Sequence, residues 1–291
     1  MYAQLPPGSY PESIYVQPGL DFIKVVKFLE ESSLSFPVAV KPDAGMMGFM
    51  FRIIQNVEQL GKYHAVMHSE YIIQQLVGYP LEVSVFYYRL PGSQSGRITG
   101  FIKKEFLEVT GDGYSTLKDL ILKYSRVRFR RDEILSKHLG NLSSIIPLGK
   151  TYCLSYALNL SRGGRLISLE GEKTESLLQV FDKLSLYTQS FFYGRYDVKC
   201  TSIEDLRKGI NFSILEYNGS GAEPHHIYGN GNTLLAAYKI ILHHWKILYI
   251  ISRINYRNGI SYWKYRDGLR FLSAAKKHFR QLKKLDVSFE I

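Results

Sequence analysis

The chain has 291 residues, 45% hydrophobic and 22% charged, with 37 Lys and Arg against 26 Asp and Glu. This composition excludes a disordered chain and a small disulfide-held scaffold: a sizeable core can form, and the two cysteines, Cys153 and Cys200, lack metal-site spacing. The formal net charge of +11 raises nucleic acid or membrane as a partner, but it is local: twelve bases lie between Lys239 and Lys284 with a single acid, Asp267, while the remainder holds 25 of each sign.

Residues 1–20, rich in Pro, Gly, Ser and Tyr, read as loop with one strand. They carry no basic run followed by an apolar stretch, so no secretory signal is read and a cytoplasmic location is expected. Residues 21–31 place Phe22, Val25, Val26 and Leu29 at helical spacing. FPVAVKP (36–42) reads as a strand, the segment 43–48 as a Gly-bearing turn, and FMFRII (49–54) as a second strand. A helix over 56–67 precedes strands at 70–77, 81–89 and 96–109. The GDG turn then leads into a helix over 115–124. Strands follow at 151–159 and 165–167, then an amphipathic helix over 174–192. YDVKC and FSILEYN are strands separated by a short capped helix. From Thr233 to Leu285 the pattern is helical, broken near Asn258 and Gly259. Strands and helices in this mixture give an α+β body. The apolar stretch 233–252 is interrupted by Lys239, His243, His244 and Lys246, so it reads as a helix packed on the body rather than a transmembrane segment.

Four segments carry candidate chemistry. Lys41 ends its strand beside a turn containing Gly45 and Gly48, where backbone N–H groups and a point charge suit an anion. A surface lysine beside a hairpin fits the same residues, and neither a P-loop nor a dinucleotide fingerprint is present. In GRYDVK, alternation puts Arg195, Asp197 and Lys199 on one face of a strand, and in ILEYN it does the same for Glu216 and Asn218. If those strands pair, their oxygens suit Mg²⁺ and Arg195 suits a phosphate; cross-strand salt bridges are the alternative. KKEFLEVTGDGYSTLKDLI offers Lys103 or Lys104 to a phosphate, and its GDG turn reads equally as the start of a capped helix. NLSRGGR brings Arg162 and Arg165 into a Gly-bearing loop that fits either an anion site or a hairpin. His225 and His226 lie just beyond the last of these strands and are expected to be a loop pair without a ligand role.

In this order the segments resemble the ATP-grasp superfamily of carboxylate–amine ligases, especially D-alanine–D-alanine ligase and cyanophycin synthetase. VAVKPDAGMMGFMFRI is similar to the family's strand, lysine and glycine loop, and YIIQQLVGYPLEVSV to its hinge strand with a ribose-binding acid. VTGDGYSTLKDLI resembles a segment of cyanophycin-synthetase-type enzymes, and GRYDVK with ILEYNGSGAEP resembles the paired metal-binding strands. The resemblance covers about residues 36–230. It implies two α+β subdomains clamping a nucleotide, with a hinge near 75–80, a short segment 1–35 before the grasp region, and a basic helical extension over 231–291.

The resemblance also implies roles. Lys41, Lys104, Arg195 and Arg162 would hold ATP phosphates, with Lys104, Arg195 and Arg162 acting in catalysis. Gly45, Met46, Met47 and Gly48 would form the phosphate loop. Gln74 or Gln75 and Val77 would line the adenine pocket, Glu82 would meet the ribose, and Asp197, Glu216 and Asn218 would bind Mg²⁺ or Mn²⁺. Gln stands where the family has an adenine-contacting acid, and Met46-Met47 departs from its usual loop residues. The family's substrate-binding front domain is reduced here or is expected from a partner protein or a preceding segment. The acid and amine substrates are not named by these residues. Two other classes stay open: a non-catalytic ATP-binding module, and a nucleic-acid binder using the basic, aromatic-rich segment.

Overall fold

A computed structural model describes residues 2–128, 131–155, 164–229 and 232–289. The first sheet contains β1 (Ser13–Val16), β2 (Val38–Pro42), β3 (Arg52–Ile54) and β4 (Tyr71–Gln75), ordered β1-β4-β2-β3 and antiparallel throughout. Helices α1 (Phe22–Glu30) and α2 (Val57–Val66) cover one face, their N-termini capped by Asp21 and Asn56. Val25, Leu29, Leu60 and Tyr63 pack there against Val38, Val40, Tyr71 and Ile73. Alternation sends Ala39, Lys41, Ile72 and Gln74 to the opposite face.

The next strands in the chain are β5 (Leu81–Tyr88), β6 (Arg97–Glu105), β7 (Leu107–Thr110), β8 (Thr151–Ser155), β9 (Arg165–Ser168), β10 (Tyr193–Cys200) and β11 (Phe212–Asn218). Five of them form an antiparallel sheet ordered β11-β10-β5-β6-β9, and β7 pairs with β8 in a separate ribbon. The continuous strand expected over 96–109 therefore breaks at Phe106. Leu107 and Val109 leave the large sheet for a small core with α3 (Leu117–Lys123) and α4 (Arg131–Lys137). The helix α4 has just one buried apolar residue, Ile134, so its sequence carried little periodic signal. FMFRII yields strand only from Arg52, because Met47, Gly48 and Met50 take positive φ (56°, 71° and 58°) and extend the turn.

One face of the five-stranded sheet packs Val83, Val85, Tyr196 and Val198 against Leu177 and Phe181 of α5 (Glu175–Thr188) and Leu206 of α6 (Ile203–Lys208). On the other face, Ile247 and Ile251 of α7 (Leu234–Arg257) meet Phe86, Tyr88 and Tyr193. The last helix, α8 (Tyr265–Ser288), returns to the first sheet. Its Leu282 is buried in that core, and Asp286 Oδ1 accepts from Arg52 Nη1 and from the Met50 amide, both at 2.8 Å. The basic segment is thus tied to both sheets rather than standing apart.

Candidate active site

The strand register assembles the centre. Asp197 of β10 lies opposite Glu216 of β11 on one side and Ser84 of β5 on the other; Arg195 lies opposite Asn218. Lys104 of β6 is paired with Glu82 of β5. Alternation therefore brings Glu82, Ser84, Lys104, Arg195, Asp197 and Asn218 to one face of four neighbouring strands. Close backbone approach requires two glycines. A Cβ at Gly100 would collide with the His226 ring, and one at Gly194 would reach within 2.4 Å of the Asn218 carbonyl.

Asp197 is the hub and is nearly inaccessible, at 3% exposure. Its Oδ1 accepts from Ser84 Oγ, from Lys104 Nζ (3.1 Å) and from Arg195 Nε (3.1 Å); its Oδ2 accepts from Arg195 Nη2 (3.1 Å). Burial alone would raise its pKa, but Lys104, Arg195 and the Ser84 hydrogen bond outweigh it and hold the carboxyl well below the usual range. Lys104 also binds Glu82 Oε1 (3.1 Å). Burial opposes its charge, and the two carboxylates prevail, raising its pKa. Glu216 differs: burial first, then the charge of Asp197, raises its carboxyl despite Lys41, Lys104 and Arg195. With the Asn218 amide oriented to satisfy its neighbours, its nitrogen donates to Glu216 Oε1 and its oxygen accepts from Arg195 Nη2, each at 3.1 Å.

The first sheet joins through Lys41. A bulge between Asp197 and Val198 leaves Leu215 outside the ladder. Its carbonyl accepts from Lys41 Nζ (3.0 Å) and from the Tyr2 hydroxyl, and Lys41 also donates to Tyr2 Oη (2.9 Å). Three carboxylates, Glu82, Asp197 and Glu216, thus face three bases, Lys41, Lys104 and Arg195.

Other expected residues fall as follows. Lys103 takes the opposite face and pairs with Glu105 (3.1 Å), so Lys104 is the lysine of this site. Gln74 shares the face of Lys41 and donates to Ser13 Oγ (2.8 Å), while Gln75 is exposed at the strand end. The Val77 carbonyl accepts from Lys199 Nζ (2.9 Å). Glu82 is bound to Lys104. Met46 and Met47 are exposed beside Gly45 and Gly48, and His278 Nε2 of α8 lies 2.8 Å from the Ala44 carbonyl of that loop. Arg162 lies outside the described residues. The GDG segment is a turn, with Asp112 accepting from Ser115 and a Thr116–Asp119 capping box opening α3.

The sequence reading missed two contributors. Ser84 was detectable as the second residue after Glu82 on an alternating strand. His225, expected to be a bystander, has Nε2 3.0 Å from Arg195 Nη1, which also donates to the Glu223 carbonyl (3.1 Å). Accepting from an arginine places the His225 proton on Nδ1. Burial first, then Arg195, lowers its pKa to about 3, so it is neutral near pH 7.

The donor set suits a hard divalent cation: two carboxylates and an amide oxygen, with the Glu216 carboxyl raised by burial and by the charge of Asp197. Among the described residues, no three His, Cys, Asp or Glu side chains form a metal cluster, so a cation here would complete its shell with water or phosphate oxygens.

No family model and no curated protein matches the chain. Solved structures do. The chain is similar to a bifunctional glutathione synthetase from Pasteurella multocida, with 17% identity and a TM-score of 0.44, covering 84% of this chain and 34% of that one. It is similar to D-alanine–D-alanine ligase from Bacillus anthracis, with 16% identity and a TM-score of 0.41, covering 86% and 62%. It is also similar to the ATP-grasp ligase PsnB complexed with a minimal precursor, with 13% identity and a TM-score of 0.40, covering 83% and 56%. The chain spans less than two thirds of the length of each.

Proposed function

We propose that the chain is an ATP-grasp carboxylate–amine ligase using ATP and Mg²⁺. One observation carries the reading: Asp197, Glu216 and Asn218 meet in register beside Lys104 and Arg195, with Lys41 reaching the same strand from the other sheet. Fixed cations around a hard-oxygen set are what phosphoryl transfer needs, because its catalysis is mostly positioning and charge stabilisation. Asp197, Glu216 and Asn218 would hold the magnesium, which when bound neutralises phosphate charge. Lys41, Lys104 and Arg195 would compensate the charge that remains on the triphosphate. A substrate carboxylate oxygen attacks the γ-phosphorus and ADP leaves. An amine then attacks the acyl carbon, phosphate leaves, and the amine loses its proton. His225 would hold Arg195 in place without adding a charge of its own.

A second reading, ATP binding without turnover, is favoured by the saturation of Asp197 with Ser84, Lys104 and Arg195 contacts. Thermal unfolding with ATP and Mg²⁺ tests both, since a ligand at 100 times its Kd adds about 2.7 kcal/mol of stability. We expect a rise of several degrees that chelation removes and Lys41→Ala diminishes. No rise overturns both readings. A rise without ADP formation, across a panel of carboxylates and amines, leaves the non-catalytic one.

A further inference from the structure

The charge and the exposed apolar surface of the last two helices coincide, and the proposed site uses neither. On α7, His244, Ile247 and Ile251 are buried toward the sheet. A second stripe, Leu235, Tyr238, Leu242, Trp245, Tyr249 and Tyr256, follows 3-4-3-4-7 spacing and is exposed along its whole length, with Leu235 at 74% and Trp245 at 66%. At 3.6 residues per turn the two stripes lie about 160° apart. The helix therefore has two apolar faces, and the fold covers one.

Lys239, Lys246, Arg253 and Arg257 recur along one flank of the outer stripe, all exposed. The connection between α7 and α8 continues the pattern. Tyr256 stacks on Tyr262 with ring centroids 4.5 Å apart, and Trp263 (68% exposed) meets Phe271 edge-on at 5.3 Å. Beyond it, Tyr265, Leu269 and Leu272 form the exposed stripe that opens α8. All twelve bases between Lys239 and Lys284 are exposed, against one acid.

We infer that the exposed face of α7, continued through the connection to the start of α8, is a docking surface for an anionic lipid bilayer, lying in the plane of the headgroups. Trp and Tyr favour the interface, lysine and arginine stems run along apolar surface to place their charge at phosphates, and the apolar stripe gains from the acyl boundary. Exposed Leu235, Leu242, Leu269 and Leu272 separate this surface from a nucleic-acid site, where aliphatic side chains find neither phosphate nor base to meet. The helix α7 is long and apolar enough to cross a membrane by length and composition. Its inner face, however, is committed to the sheet through Ile247, Ile251 and the 2.9 Å contact between His244 Nδ1 and Tyr193 Oη, so it lies along the bilayer.

The test uses the chain's own reporters, since its two tryptophans, Trp245 and Trp263, both lie in the patch. The full chain is floated with vesicles of phosphatidylcholine alone or mixed with phosphatidylserine, and its emission is followed. Binding to the mixed vesicles with a blue shift, salt-sensitive and weakened about fivefold per base in Lys246→Gln and Arg253→Gln, supports the inference. Trp245→Ser with Leu242→Ser should abolish flotation while leaving the melting temperature unchanged. Three results overturn it: no shift with the mixed vesicles, flotation unaffected by the Trp245→Ser and Leu242→Ser pair, or concentration-dependent self-association that itself shifts the tryptophans.

Discussion

Replacing Asp197 with Asn removes one negative charge from a cluster closed to water while leaving its shape intact. The residue is 3% exposed, and its carboxylate holds Lys104 and Arg195 at 3.1 Å. Breaking a buried pair costs about 3–5 kcal/mol, chiefly because the partner is left charged and uncompensated. Here the lower end applies, near 3 kcal/mol, because Lys104 keeps Glu82 and Arg195 keeps the Glu223 carbonyl. In a chain of this size that is a fall of about 6–10 °C in melting temperature. Urea unfolding at neutral pH measures it. Asp197 is held below its ordinary pKa, so its stabilisation is present above the unfolded value and is lost as pH falls through the folded one; the deficit of Asp197→Asn must narrow in acid. A loss under about 1 kcal/mol at neutral pH, the range of exposed ion pairs, would refute the buried-hub argument.

Glu216 predicts the opposite sign. Its carboxyl is raised by burial and by Asp197, so its ionisation works against the fold as pH rises through the folded value; Glu216→Gln should unfold at higher urea than wild type at neutral pH while losing Mg²⁺-dependent ATP stabilisation. His225, His226 and His244 are lowered by burial to about 3, 4 and 3, so stability should fall as pH drops below about 6.5 and these rings take up protons on unfolding; a flat urea midpoint between pH 6.5 and 4 contradicts this. Leu282→Ala should cost about 2–5 kcal/mol because α8 belongs to the first sheet's core; a loss below 0.5 kcal/mol would make that helix peripheral.

Much of the second sheet could be read from the chain because β-alternation is local. Arg195 and Asp197 share a face by period two, as do Glu216 and Asn218, and nothing distant is needed to know it. Which strand faces which is a different matter. That Asp197 meets Ser84 113 residues earlier, that Lys104 rather than Lys103 points inward, and that His225 turns back onto Arg195 depend on register and on how the later loop folds over the sheet, where Gly100 leaves room for the His226 ring. The split at Phe106 and the helix α4 were invisible for the complementary reason: each is held by a few residues packed against distant ones, with too short a periodic run to register locally.

The charge shows the same division. Sequence alone determined that the excess of +11 lies between Lys239 and Lys284 and that the rest is balanced, because charge is a sum over residue types. It also determined the helical periodicity of that segment, since spacing is local. Only the tertiary structure decided which apolar stripe of α7 is spent on the sheet and which is left beside the lysines. Only it showed that α8, read as an appendage, closes the first core through Leu282 and the Arg52–Asp286 pair. Burial depends on what the rest of the chain brings alongside, and no pattern within a helix records that.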